Sequence, residues 1–212
     1  MIQDPILKIV GMNNARAFLG ESAAFDEEWV EASVNFSVAA FETMRKMKRW
    51  PSWMRGIVWR LIPERAAMKE QWAKGRKRIK ACIQERADKG GNIQDPPTAL
   101  DHLSSGKNAH LANDVESQLS YQMTLAAVGT MTTYSSALQA IYDLALHPEY
   151  IAPLREEIEA APVDENGMYT KDALSGMRKL DSFIKESQRL APTDLSTSSQ
   201  IITPYLLILT SS

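Results

Sequence analysis

From Asp26 to Lys48 the apolar residues Trp29, Val30, Val34, Phe36, Val38, Phe41 and Met44 recur mostly at three- and four-residue steps, which predicts a helix with one buried face. Glu27, Glu28 and Glu31 stand at its front and Arg45, Lys46, Lys48 and Arg49 at its back, the order that the helix dipole favours. Pro51 and Pro63 punctuate the next stretch. Arg65 to Lys89 then reads as a long, basic, exposed helix stopped by Gly90-Gly91, and 90–107 reads as mostly loop. Asn113 or Asp114, followed by Glu116, can cap a helix running to about Leu146. Its middle, Leu125 to Ser136, holds no charge, and a helix uncharged all round is expected to be buried. His147-Pro148 ends it. Pro148 can open a further helix whose Arg155, Glu156, Glu157 and Glu159 face water. A turn at Asp164-Glu165-Asn166-Gly167 follows, then two short helices around Ser175-Gly176 between Thr170 and Leu190. Period-two strand signals are scarce and no internal repeat is present, so the expected class is all-α, with the Asn113–Leu146 helix its longest buried element.

At 212 residues the chain suits one domain or a piece of one. Its 24 Lys and Arg against 26 Asp and Glu give a formal charge of −2, so charge supplies no global drive toward nucleic acid or anionic membrane. The single cysteine, Cys82, excludes an internal disulfide and leaves one thiolate ligand conceivable. Met1 to Gly11 carries Asp4 and Lys8 among its apolar residues and offers no signal peptide or membrane span. The apolar stretch Ile201 to Leu209 is too short to cross a bilayer as a helix and reads as an adhesive tail.

Two passages resemble the cytochrome P450 family, in particular its fungal secondary-metabolism members. Leu125 to Glu157, LAAVGTMTTYSSALQAIYDLALHPEYIAPLREE, resembles that fold's long central helix, its joint and the helix that follows; Met177 to Pro192, MRKLDSFIKESQRLAP, resembles the helix bearing the Glu-x-x-Arg motif. Weaker similarity reaches upstream through Ala15 to Trp53. The resemblance implies a partial cytochrome P450 domain over residues 1–200, cut at both ends, followed by a divergent apolar tail over 201–212. A domain so cut is expected to be poorly stable and prone to associate, since apolar surface stays wet.

Taken alone, Glu186 and Arg189 are a helical i,i+3 pair of a kind common by chance. Within the resemblance they are structural supports of the loop that holds the haem ligand. The family's central helix usually reads Ala/Gly-Gly-x-Asp/Glu-Thr-Thr, and here Thr130 falls at the threonine that delivers protons, while Gly129 replaces the acid; some fungal members also lack the acid. The competing reading of Thr130 to Thr133 is a set of hydroxyls bonding back to helix carbonyls. The axial cysteine segment, Phe-x-x-Gly-x-x-x-Cys-x-Gly, has no counterpart: nothing after Arg189 contains a cysteine, and Gly75, Arg78 and Gln84 surround Cys82 where Phe and two glycines belong. Cys82 is therefore expected to be an ordinary helical residue, although Lys80 and Arg86 beside it could favour its thiolate.

By resemblance the activity is haem-dependent monooxygenation of a small lipophilic secondary metabolite, a terpenoid for example, with electrons from NADPH-cytochrome reductase at the endoplasmic reticulum membrane. This chain, without iron ligand or anchor, is expected to be inactive, to hold haem poorly and to be cytoplasmic; the alternative is a noncatalytic helical remnant or interaction fragment. His102, His110 and His147 do not have the spacing of a metal hydrolase. The basic run Lys74, Arg76, Lys77, Arg78 and Lys80 lacks interleaved aromatics and reads as a solvated helix face.

Overall fold

The structure, a computed structural model, describes residues 5–90, 97–165 and 167–191. Among them there are helices and turns but no strand, only an isolated bridge between Val163 and Tyr169, in agreement with the all-α expectation. The chain divides into two compact units, one reaching to Tyr134 and one spanning Ser135–Asp194. The apolar stretch Ile201 to Leu209, the turn residue Asn166 and the second glycine of Gly90-Gly91 lie outside the described residues.

The first unit opens with α1 (Pro5–Leu19) and the single turn α2 (Glu21–Ala24). Helix α3 (Glu27–Met47) starts where Asp26 accepts a hydrogen bond from the Trp29 amide at 3.1 Å. It buries Trp29, Val30, Val34, Phe36, Met44 and Met47, the face that the periodicity predicts. Helix α4 (Ser52–Leu61) lies between Pro51 and Pro63, and α5 (Glu64–Asp88) packs along α3. Helix α5 ends as Lys89 and Gly90 bond back to Glu85 and Ala87, with Gly90 at φ +72°, a conformation glycine adopts without penalty.

Helix α5 is not the exposed rod that its charge suggests. Met68, Trp72, Gly75, Ile79 and Cys82 recur every three or four residues and form a buried stripe; the cations occupy the remaining faces. Those cations are largely paired: Lys74 with Glu70, Arg76 with Glu116, Lys77 with Glu28, and Arg78 with Asp26 and Glu85. The Glu116 carboxyl is held below its ordinary range chiefly by its hydrogen bond from Arg76. Within 90–107, read as mostly loop, Thr98 and Asp101 form a reciprocal capping box for the one-turn helix α6 (Ala99–His102), and a 3₁₀ segment, Gly106–Leu111, follows.

Helix α7 (Val115–Leu146) begins in the first unit and ends in the second. Asp114 caps it, accepting from the amides of Glu116 and Ser117. Gln118 Nε2 donates to the carbonyls of Leu103 and Leu111, which ties the preceding loop to the helix. The expectation that the uncharged middle is buried all round is corrected. Leu119, Met123, Ala126, Ala127 and Thr130 are buried, whereas Leu125 and Val128 are 37% and 42% exposed. The described packing partners of α7 reach one side: Leu119 and Met123 pack at Gly75, and the Ala126 carbonyl accepts from Ser37.

In the second unit a 3₁₀ turn, Pro148–Tyr150, precedes α8 (Ile151–Ala160), so Pro148 opens a 3₁₀ turn before the helix proper. The turn after it closes through Asp164 and Gly167, the latter at φ +75°. Helices α9 (Lys171–Gly176) and α10 (Arg178–Leu190) are the two short helices expected around Ser175-Gly176. Among the described residues no helix is long and apolar enough to cross a membrane.

Candidate functional site

Helix α10 has no capping side chain of its own at its start, and α8 supplies one. Glu157 accepts hydrogen bonds from the amides of Lys179 and Leu180 at 2.9 and 2.8 Å, and those bonds hold its carboxyl below the ordinary range. Glu157 therefore serves α10, whereas the pattern predicts only that it faces water. Nothing local in the sequence marks this role, because donor and acceptor are 22 positions apart.

Asp143, near the end of α7, accepts from Gln139 at 2.9 Å and from the Ser187 hydroxyl of α10. Tyr150 and Phe183 face each other at 5.9 Å between ring centroids. Asp143, Ser187, Tyr150 and Phe183, together with Leu154 and Glu186, line an open cleft of about 760 Å³. Glu186 and Arg189 form a two-point ion pair, Arg189 Nε to Oε2 at 2.8 Å and Nη2 to Oε1 at 2.7 Å. Each partner favours the charged form of the other, lowering Glu186 and raising Arg189. Both side chains are more than half exposed here, which caps the pair's own contribution to stability at a small value.

In the first unit Thr130 is buried against α1. Its hydroxyl oxygen accepts from Asn14 Nδ2 at 3.1 Å. A Cβ on neighbouring Gly129 would stand 3.4 Å from both Asn14 and Phe18, so that position faces α1 at van der Waals distance. The back-bonding considered for this threonine run is made by Thr132, whose hydroxyl donates to the Val128 carbonyl at 2.8 Å. His102 lies in α6, His110 in the 3₁₀ segment and His147 just after α7; among the described residues no cluster of His, Cys, Asp and Glu could hold a metal ion.

The cytochrome P450 family model matches residues 14–204, which contain both the Thr130 region and the Glu186–Arg189 pair. The chain belongs to the cytochrome P450 family. It is 34% identical to a cytochrome P450 monooxygenase of Emericella nidulans over 96% of its own length and 38% of that protein's. It is 33% identical to the cytochrome P450 monooxygenase olcJ of Penicillium canescens, across 95% of this chain and 38% of that one, and 30% identical to ent-kaurene oxidase of Gibberella intermedia, across 94% and 37%. The chain thus spans about two fifths of the length of these P450 relatives. No solved structure matches it.

A P450 haem iron takes a thiolate ligand, and the one thiol available does not fit. Cys82 is 4% exposed inside the core that α3 and α5 share, and burial pushes its thiol up to about 11. Arg78 pulls in the opposite direction but is outweighed, so the basic neighbourhood does not produce a thiolate.

Proposed function

We propose that the whole protein is a haem monooxygenase that oxidises a small lipophilic secondary metabolite, a terpenoid for example, using NADPH-cytochrome reductase at the endoplasmic reticulum membrane. The observation that carries this reading is the family match across residues 14–204, in a chain whose long helix, joint and Glu-x-x-Arg helix follow one another in the family's order. Relatives named as monooxygenases, and one named ent-kaurene oxidase, support it. Residues 1–200 are then the P450 segment and 201–212 a divergent apolar tail.

Within this proposal Thr130 is the proton-delivering hydroxyl. Asn14 donates to its oxygen, which leaves the hydroxyl's own proton available to another acceptor. Glu186 and Arg189 support the loop that carries the haem ligand in the whole protein, and their mutual ion pair presets both side chains for it.

The 212-residue chain by itself is, in this reading, noncatalytic and holds haem poorly, because its only cysteine is buried and protonated. Haem-supplemented, reduced chain should give no thiolate-type Soret band with carbon monoxide, and Cys82→Ala should leave the spectrum unchanged. A thiolate band that vanishes in Cys82→Ala would overturn this. The reading of the whole protein is tested by sequencing the transcript past codon 200. A frame encoding Phe-x-x-Gly-x-x-x-Cys-x-Gly is expected, and the protein extended by it should show the thiolate band; an extended protein without that band would sink the proposal.

A further inference from the structure

Asp143 stands in the last turn of α7, where the helix dipole disfavours an acid, so its placement calls for a partner outside the helix. Its carboxylate is held from two sides. Gln139, one turn earlier, donates to Oδ1 at 2.9 Å, and the Ser187 hydroxyl of α10 donates to Oδ2. Two donors fix the plane of the carboxylate, and the second comes from 44 positions away.

Ser187 is 4% exposed, while every other residue of α10 is at least partly exposed. Leu180, Phe183 and Ser187, at i, i+3 and i+7, form the stripe by which α10 meets its neighbours. Glu157 caps the amides of Lys179 and Leu180, Phe183 lies against Tyr150, and Ser187 bonds to Asp143. The cap holds the start of the helix, and the ring contact is apolar and non-directional. Among the described contacts of α10 with other elements, the Ser187 bond is the directional one in the last turn.

The direction of the Glu186–Arg189 pair follows from that setting. At about 100° per residue, Glu186 lies about 100° to one side of Ser187 and Arg189 about 160° to the same side, so the two stand about 60° apart on the face turned away from Asp143. Their exposure, more than half of each side chain, agrees with this geometry. A rotation that brought Ser187 out would carry the pair toward α7. Were Ser187 only a small filler, alanine, which lacks nothing but the hydroxyl oxygen, would serve as well.

We propose that Asp143 and Ser187 are positioning residues: their hydrogen bond sets the rotation of the last turn of α10, and with it the direction in which the Glu186–Arg189 pair faces. What the pair meets in the whole protein rests on the monooxygenase reading. The setting of the helix is a property of this chain, so it is tested without haem.

Spin labels at Glu156→Cys on α8 and Gln188→Cys on α10, both exposed positions, in a Cys82→Ala background of the 212-residue chain, give one interhelix distance by double electron resonance. In Ser187→Ala and in Asp143→Ala that distance should shift or broaden by about 3–5 Å, the arc that a point at a helix's ~5 Å outer radius traces in a turn of roughly 40–60°. Ser187→Thr, which keeps the hydroxyl, and Asp143→Asn, which keeps an acceptor, should restore the wild-type distance. Should Ser187→Ala fold poorly, Asp143→Ala reads the same bond from its half-buried end. In the protein extended past codon 200, Ser187→Ala should also weaken the thiolate-type Soret band, and Ser187→Thr should keep it. Two results would overturn the proposal: an unchanged distance in both alanine variants, or a changed distance that leaves the band of the extended protein unaffected. An extended wild type without any thiolate band would sink the monooxygenase reading alone, and the distances would still decide this proposal.

Discussion

Asn14 and Thr130, 116 positions apart in sequence, are joined by a 3.1 Å hydrogen bond from the Asn14 amide to the Thr130 hydroxyl, which links α1 to α7 inside the packed first unit. Sequence distance this long means that the bond reports tertiary structure and not helix formation. Removing Asn14 strands the buried Thr130 hydroxyl, and removing Thr130 leaves the half-buried Asn14 amide without this acceptor. Asn14→Ala and Thr130→Val should each lower unfolding free energy by about 1–2 kcal/mol, and the double variant should cost about 1 kcal/mol less than their sum. Urea denaturation of the four proteins checks the cycle; full additivity would mean that the bond contributes nothing.

Two glycines should respond to alanine with opposite signs. At Gly11 in α1 a Cβ would stand 2.6 Å from Val34 and 3.3 Å from Val30, so α1 and α3 must separate, at a cost of about 1–3 kcal/mol. At Gly56 in α4 a Cβ meets nothing within 4 Å, and alanine should stabilise by about 0.5–1 kcal/mol through lower chain entropy. Thermal melts of Gly11→Ala and Gly56→Ala should shift in opposite directions. A loss of stability at Gly56 would mean that the exposed side of α4 is occupied.

The hold of α8 on α10 should be acid-sensitive. Glu157 is depressed by the amides it accepts from, so it favours the folded state above the ordinary glutamate pKa, and that contribution is lost as pH falls through the lower folded value. Amide exchange at Lys179 and Leu180 should therefore speed up, relative to the intrinsic rate, below about pH 4.5. In Glu157→Gln the protection should already be reduced at neutral pH and vary little with acid. An unchanged acid response in that variant would assign the effect to another carboxylate.

The sequence by itself determined what local physics determines. Asp26 and Asp114 cap helices within a few residues of where the pattern places them, the three- and four-residue apolar rhythm returns as the buried face of α3, and Gly90 ends α5. Caps, periodicity and left-handed glycines act over fewer than ten residues, and the Glu-x-x-Arg passage that pointed to the family is likewise one contiguous stretch of chain, Met177 to Pro192. Tertiary structure decided everything that needs a distant partner. Helix α1, weakened as a helix by Gly11, Asn13 and Asn14 and not anticipated from the pattern, is fixed by burial of Val10, Ala15 and Leu19. The uncharged middle of α7 is compatible with burial on every side, but only its partners say which side is covered, and they cover one. The same is true of Cys82, whose neighbours in sequence are cations while its neighbours in space are the apolar core; burial outweighs the nearby charge and keeps the thiol protonated.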